Sequence, residues 1–92
     1  MKVAAVFDAQ MSRGQSERLA ELMEEGVKTR PDEVALATLH VSGENVRLVA
    51  YWNSAEALDA YRASSPVLRG TELMRQVGVE PEVSIVDVLA FG

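Results

Sequence analysis

Cysteine is missing from all 92 residues, and with it go disulfide frameworks, thiolate metal ligands and a cysteine nucleophile. Histidine is nearly missing too. His40 stands alone, with no carboxylates at ligand spacing around it, so no metal site is expected. Basic clusters are also absent: nine Lys and Arg against fourteen Asp and Glu leave a net charge of −5. That balance opposes a nucleic-acid surface, which needs a basic stripe to meet phosphates. Long apolar runs are wanting as well. The run near Met1 to Val6 is interrupted at Asp8, too soon for a signal-peptide core, and no later run approaches a membrane span. The expectation is a cytoplasmic protein with no membrane contact. Aromatic residues make up only 5% of the chain, so its 48% hydrophobic content is carried mainly by Ala, Val and Leu.

What is present fits a single domain, residues 1–92, that buries roughly 60 to 65% of the surface of its unfolded chain. The apolar content exceeds what so small a core needs. A homodimer would absorb the surplus, and a compact alanine-rich monomer is the alternative.

Lys2 to Asp8 (KVAAVFD) reads as a strand buried on both faces. Ser12 with Gln15 three positions on forms a capping box, and Leu19, Leu22, Met23 and Val27 follow at helical spacing. The charged residues of that helix fall on a solvated outer face, and Arg30-Pro31 ends it because the residue before proline disfavours helical dihedrals. Val34 to Ser42 and Val46 to Asn53 form a hairpin around Gly43, Glu44 and Asn45. Two registers fit. A two-residue Gly43-Glu44 turn opposes His40 to Arg47 and gathers Leu36, Thr38, His40, Arg47, Val49 and Tyr51 on one face. A three-residue loop opposes His40 to Leu48 and brings Trp52 to the histidine's side.

The stretch Tyr51 to Tyr61 (YWNSAEALDAY) carries strand directly into helix and holds the single Trp and both Tyr. Asn53 with Glu56 supplies a capping signature there. Such a join aims strand-end side chains into the space between sheet and helix, where a small domain keeps a pocket. Ser64-Ser65-Pro66 breaks or re-caps the helix, and Val67, Leu68, Leu73, Met74 and Val77 suggest a further helical piece loosened at Gly70. After a turn at Gly78 to Glu82, Val83 to Phe91 reads as a last strand. The order βαββαβ is the α+β, ferredoxin-like plan of an antiparallel four-stranded sheet with its helices on one face. The open sheet face would pair with a second subunit.

His40 is the one side chain whose ordinary pKa lies near neutrality, which makes it the first candidate for a general base; a surface or interface histidine is the other reading. Arg47, central in its strand, pairs with Asp87 or clamps an anionic ligand. Trp52 offers a stacking surface and Tyr51 and Tyr61 offer hydroxyls, or all three simply fill the core. Asn53 reads as a helix cap rather than a catalytic amide.

The segment from Trp52 to Pro66 resembles the Trp-x-Ser-x-Glu-Ala-Leu pattern of the antibiotic-biosynthesis-monooxygenase-like domains, a branch of the dimeric α+β barrels. The resemblance implies a homodimer with a pocket between sheet and helices in each subunit. It further implies a cofactor-independent monooxygenase, needing neither flavin nor metal, on a planar aromatic or polyketide-derived molecule. On that reading His40, Trp52 and Tyr51 form the catalytic set and Arg47, Tyr61 and Phe7 bind substrate. Leu48 stands where those oxygenases have an asparagine. An isomerase or cyclase on a similar substrate, or a non-catalytic binding or dimerisation module, are the alternatives.

Overall fold

The computed structural model describes residues 2–91. Its elements are β1 (Val3–Gln10), α1 (Arg13–Gly26), a 3₁₀ turn (Val27–Thr29), β2 (Val34–Ser42), β3 (Asn45–Trp52), α2 (Ala55–Ser64), α3 (Arg69–Gln76) and β4 (Glu82–Asp87). The four strands lie in the order β2-β3-β1-β4 and every neighbouring pair is antiparallel. This is the ferredoxin-like arrangement expected from the element order. Among the described residues no helix is long and apolar enough to cross a membrane.

Local chemistry sets the helix ends. Ser12 accepts from the Gln15 N–H while the Gln15 side chain accepts from the Ser12 N–H, the reciprocal pair that satisfies two orphan donors of α1. The cap of α2 is Ser54, whose hydroxyl accepts from the Ala57 N–H at 3.1 Å. Asn53, expected to cap it, instead spends its own N–H on the carbonyl of Glu33, just before the start of β2. The C-terminus of α3 closes through Gly78, whose φ of 84° is one an L side chain rarely adopts. The Gly78 N–H then bonds the Arg75 carbonyl and the Val79 N–H the Met74 carbonyl, a Schellman closure with Val79 packed on the core that holds Met74.

Two clusters fill the space between sheet and helices. One joins Ala5, Phe7 and Leu48 of the sheet to Leu19 of α1 and Met74 of α3. The other packs Val3, Val34 and Trp52 against Leu58 of α2. Val27, expected on the inner face of α1, is 56% exposed, because the helix tightens into the 3₁₀ turn there and its stripe rotates off the sheet.

The opposite sheet face carries a smaller strip, Ala4, Val6 and Val49, flanked by Tyr51 and Val88. All of β4 is exposed. That strand is shorter than Val83 to Phe91, since its one partner is β1: Val3 opposite Asp87 is the last pair, and the Val88 N–H makes a final bond to the Lys2 carbonyl. Phe91, past the strand, sets its ring edge-on to Tyr51 with centroids 5.7 Å apart.

Candidate functional site

The hairpin register decides which side chains meet. Ser42 opposes Asn45 and His40 opposes Arg47, so the turn is the two-residue Gly43-Glu44 form. Gly43 has φ 62°, and Glu44, like every non-glycine among the described residues, has none of the positive φ that a I′ turn would need, so the turn is II′. Strand alternation then places Leu48, Ala50 and Trp52 toward the helices and Arg47, Val49 and Tyr51 away from them. A bulge at Ala35 lets Val34 oppose Trp52 while Leu36 opposes Tyr51, so both edges of the hairpin keep their faces.

On the helix side lies a cavity of about 290 Å³. Phe7, Leu48, Ala50 and Trp52 form its floor, Met23, Leu68 and Leu73 its helical walls, and Tyr61 one flank. The rings of Trp52 and Tyr61 lie 5.2 Å apart at 53°. Charged side chains in the wall are few: Glu24, Arg30 and Arg69. Trp52 is 3% exposed, and its indole Nε1 is buried with no hydrogen-bond partner. A buried N–H without an acceptor is costly.

Three of the six site residues expected from the sequence, Phe7, Trp52 and Tyr61, therefore line one cavity. His40, Arg47 and Tyr51 do not join them, because the observed register turns all three to the open face. His40 is exposed there and shares a 2.9 Å hydrogen bond with the Thr38 hydroxyl. It borders an open groove whose charged and polar residues include Asp8, Asn45, Arg47 and Glu82. One site built from a His40 base and a Trp52 stacking surface is thus not what the fold assembles.

Arg47 also has a different partner from the one expected. Its guanidinium donates to both carboxylate oxygens of Asp8, at 2.7 and 3.1 Å. Those bonds, and then the neighbouring negative charge, raise the Arg47 pKa above its ordinary value. Asp87 is out of reach because β1 lies between β3 and β4, and Asp8 sits directly opposite Arg47. The pair is more than a third exposed on both sides, so it contributes little to stability.

Leu68, Arg69 and Gly70 of the cavity wall were not foreseen as site residues. They reach it only through the docking of α3, and the sequence signal was a glycine in the first turn of a short helix. Among the described residues no group of three or more His, Asp or Glu could hold a metal ion.

No protein-family model and no curated protein matches the sequence. Solved structures do match the fold. A Streptomyces coelicolor monooxygenase from the gene ActVA-Orf6, in complex with the ligand nanaomycin D, is 23% identical with a TM-score of 0.69 over 98% of this chain and 88% of that one. A Nitrosomonas europaea protein of unknown function is 14% identical, with a TM-score of 0.68 over 99% of this chain and 92% of its own. A Deinococcus radiodurans protein provisionally named an antibiotic biosynthesis monooxygenase is also 14% identical, with a TM-score of 0.61 over 98% and 93%. Each alignment covers nearly the whole of this chain. The chain therefore has the α+β, ferredoxin-like fold of the antibiotic-biosynthesis-monooxygenase-like domains.

Proposed function

We propose that the helix-side cavity binds a planar aromatic or polyketide-derived molecule and that the chain acts on it as a cofactor-independent monooxygenase. The observation that carries this reading is the apolar cavity floored by Phe7 and Trp52 and flanked by Tyr61. A similarly folded monooxygenase that holds nanaomycin D supports it. Chemically, an anthrone or hydroquinone guest loses a proton, and its carbanion or phenolate supplies electrons to O2. For an anthrone methylene, the hydroperoxide formed at carbon then loses water, so one O2 yields one ketone and one H2O with no external reductant. The cavity contributes an apolar floor with the aromatic faces of Phe7 and Trp52, on which a planar guest can stack. Glu24 is the carboxylate in the wall and takes the base role that the sequence suggested for His40.

Oxygen uptake with anthrone, in the presence of a chelator and with no added flavin, tests the reading. The expected result is one O2 consumed per ketone formed and a His40→Ala rate within about twofold of the parent, against the ~10²–10⁴-fold typical of a lost general base. A loss on that scale would move the chemistry to the open sheet face. Should anthrone bind without oxygen uptake, the isomerase, cyclase or simple binding reading takes its place.

We further propose a homodimer. Val83, Ile85, Val86, Leu89 and Phe91, on β4 or just past it, are all exposed, and Leu89 is 97% exposed. So much uncovered apolar surface around one edge of a small domain is the mark of an interface. Sedimentation at micromolar concentration is expected to give twice the chain mass, and Val86→Asp to shift it to a single copy. A parent protein that sediments as one copy would refute the dimer.

A further inference from the structure

We propose, building on the cavity reading above, that the guest is an acid: an aromatic carboxylate whose ring fills the apolar interior and whose charged group docks at the start of α3 against Arg69. The wall is apolar almost throughout, and its charges are lopsided. Arg30 and Arg69 face one carboxylate, Glu24, and neither arginine is paired with a carboxylate among the described residues. Yet the protein as a whole is acidic, and of its five other arginines four, Arg13, Arg18, Arg47 and Arg75, pair with carboxylates among the described residues, Arg62 being the exception. In the cavity wall two cations meet one carboxylate.

Arg69 is held in place rather than waving in solvent. Its Nη1 donates to the Thr29 carbonyl at 3.0 Å, and its Nη2 to the Gly26 carbonyl at 3.3 Å and the Thr29 hydroxyl at 2.6 Å. Those oxygens are neutral, so the positive charge is oriented but not neutralised. A guanidinium has five N–H donors, and three are spent here, which leaves two for an incoming anion.

The backbone adds to the same spot. Leu68 is the cap residue of α3 and makes no side-chain cap, so the first-turn N–H groups of the helix have no capping oxygen. Leu68, Arg69 and Gly70, the residues of that uncapped end, all line the cavity. An uncapped helix start bearing an arginine favours an anion over a neutral group.

Calorimetric titration of the purified chain with 2-naphthoate and with its neutral isostere 2-naphthamide tests this. The acid is expected to bind on the order of tenfold tighter than the amide, the strength of a charge-assisted bond set against a neutral one. Arg69→Gln, which keeps an amide donor for the Gly26 and Thr29 oxygens but removes the charge, is expected to abolish that preference while amide binding persists. Arg30→Gln removes a wall charge that makes no hydrogen bond among the described residues, and is expected to reduce the preference with the fold intact should Arg69→Gln fail to fold. Equal binding of acid and amide, or a preference unchanged in both variants, overturns the acid inference and leaves the cavity reading standing. Failure of both probes to bind overturns the cavity reading along with it.

Discussion

Replacing Trp52 by alanine is expected to lower the free energy of unfolding by about 3–5 kcal/mol, the usual loss when a buried large aromatic is truncated. Against a total of about 5–15 kcal/mol for a small domain, that removes much of the margin. The reason lies in where the indole sits. It is the last residue of β3, opposed by Val3 on one neighbouring strand and Val34 on the other, and it carries Leu58 of α2 and the ring of Tyr61. Its removal therefore loosens both strand ends and the seat of α2 together. Trp52→Phe separates area from hydrogen bonding. The smaller ring loses some contact, but the substitution also deletes an N–H that is buried without a partner, a group whose desolvation costs roughly 1–3 kcal/mol. The two effects oppose, so the phenylalanine variant is expected to lose less than half of what the alanine variant loses. Urea unfolding of the three proteins reads this directly. Equal losses in the two variants would mean that the indole nitrogen is satisfied in solution.

Much of this architecture was legible in the residues because local and long-range signals agreed. Ser12 and Gln15 announce the start of α1, Ser64-Ser65-Pro66 the break between α2 and α3, and Gly43-Glu44 one of two possible turns. The register itself could not be read, since apolar residues occupy both faces of β2 and β3 and either pairing buries a credible set. That one ambiguity governed the site. With the two-residue turn, His40, Arg47 and Tyr51 go to one face and Trp52 to the other, and half of the expected site leaves the cavity. The other gap is α3. Its period was visible in Leu73, Met74 and Val77, but which of its residues meet the sheet depends on the docking of a helix separated by sixty residues from Phe7. Hence Gly70 read as a flaw in a helix, when it is the point of closest approach.

That closeness makes Gly70→Ala the more informative of the small substitutions. A β-carbon there would lie 2.5 Å from Phe7 Cε1 and 2.7 Å from two more ring atoms, distances at which something must move. Phe7 is 1% exposed and opposed in the sheet by Leu48 and Val83, so its backbone cannot yield. Two escapes remain: α3 lifts from the sheet, or the Phe7 ring swings into the adjacent void. Lifting α3 costs the packing of Met74, which is fully buried. Because Phe7 borders the cavity, swinging the ring is the cheaper course, and it consumes the space a guest would use. Overpacking costs about 1–3 kcal/mol, and alanine's better helix propensity returns up to ~1 kcal/mol. A net destabilisation of about 1–2 kcal/mol is therefore expected. Binding of 2-naphthoate should suffer more, by on the order of tenfold or greater, since the ring now occupies its place. The cause can be isolated by adding Phe7→Leu, which removes the ring atoms nearest Gly70. Leucine at this position should destabilise the parent but cost measurably less in the alanine background, with a coupling of about 0.5–3 kcal/mol. Additive effects would show that the two residues do not touch, and would dissolve the cavity floor that the binding argument stands on.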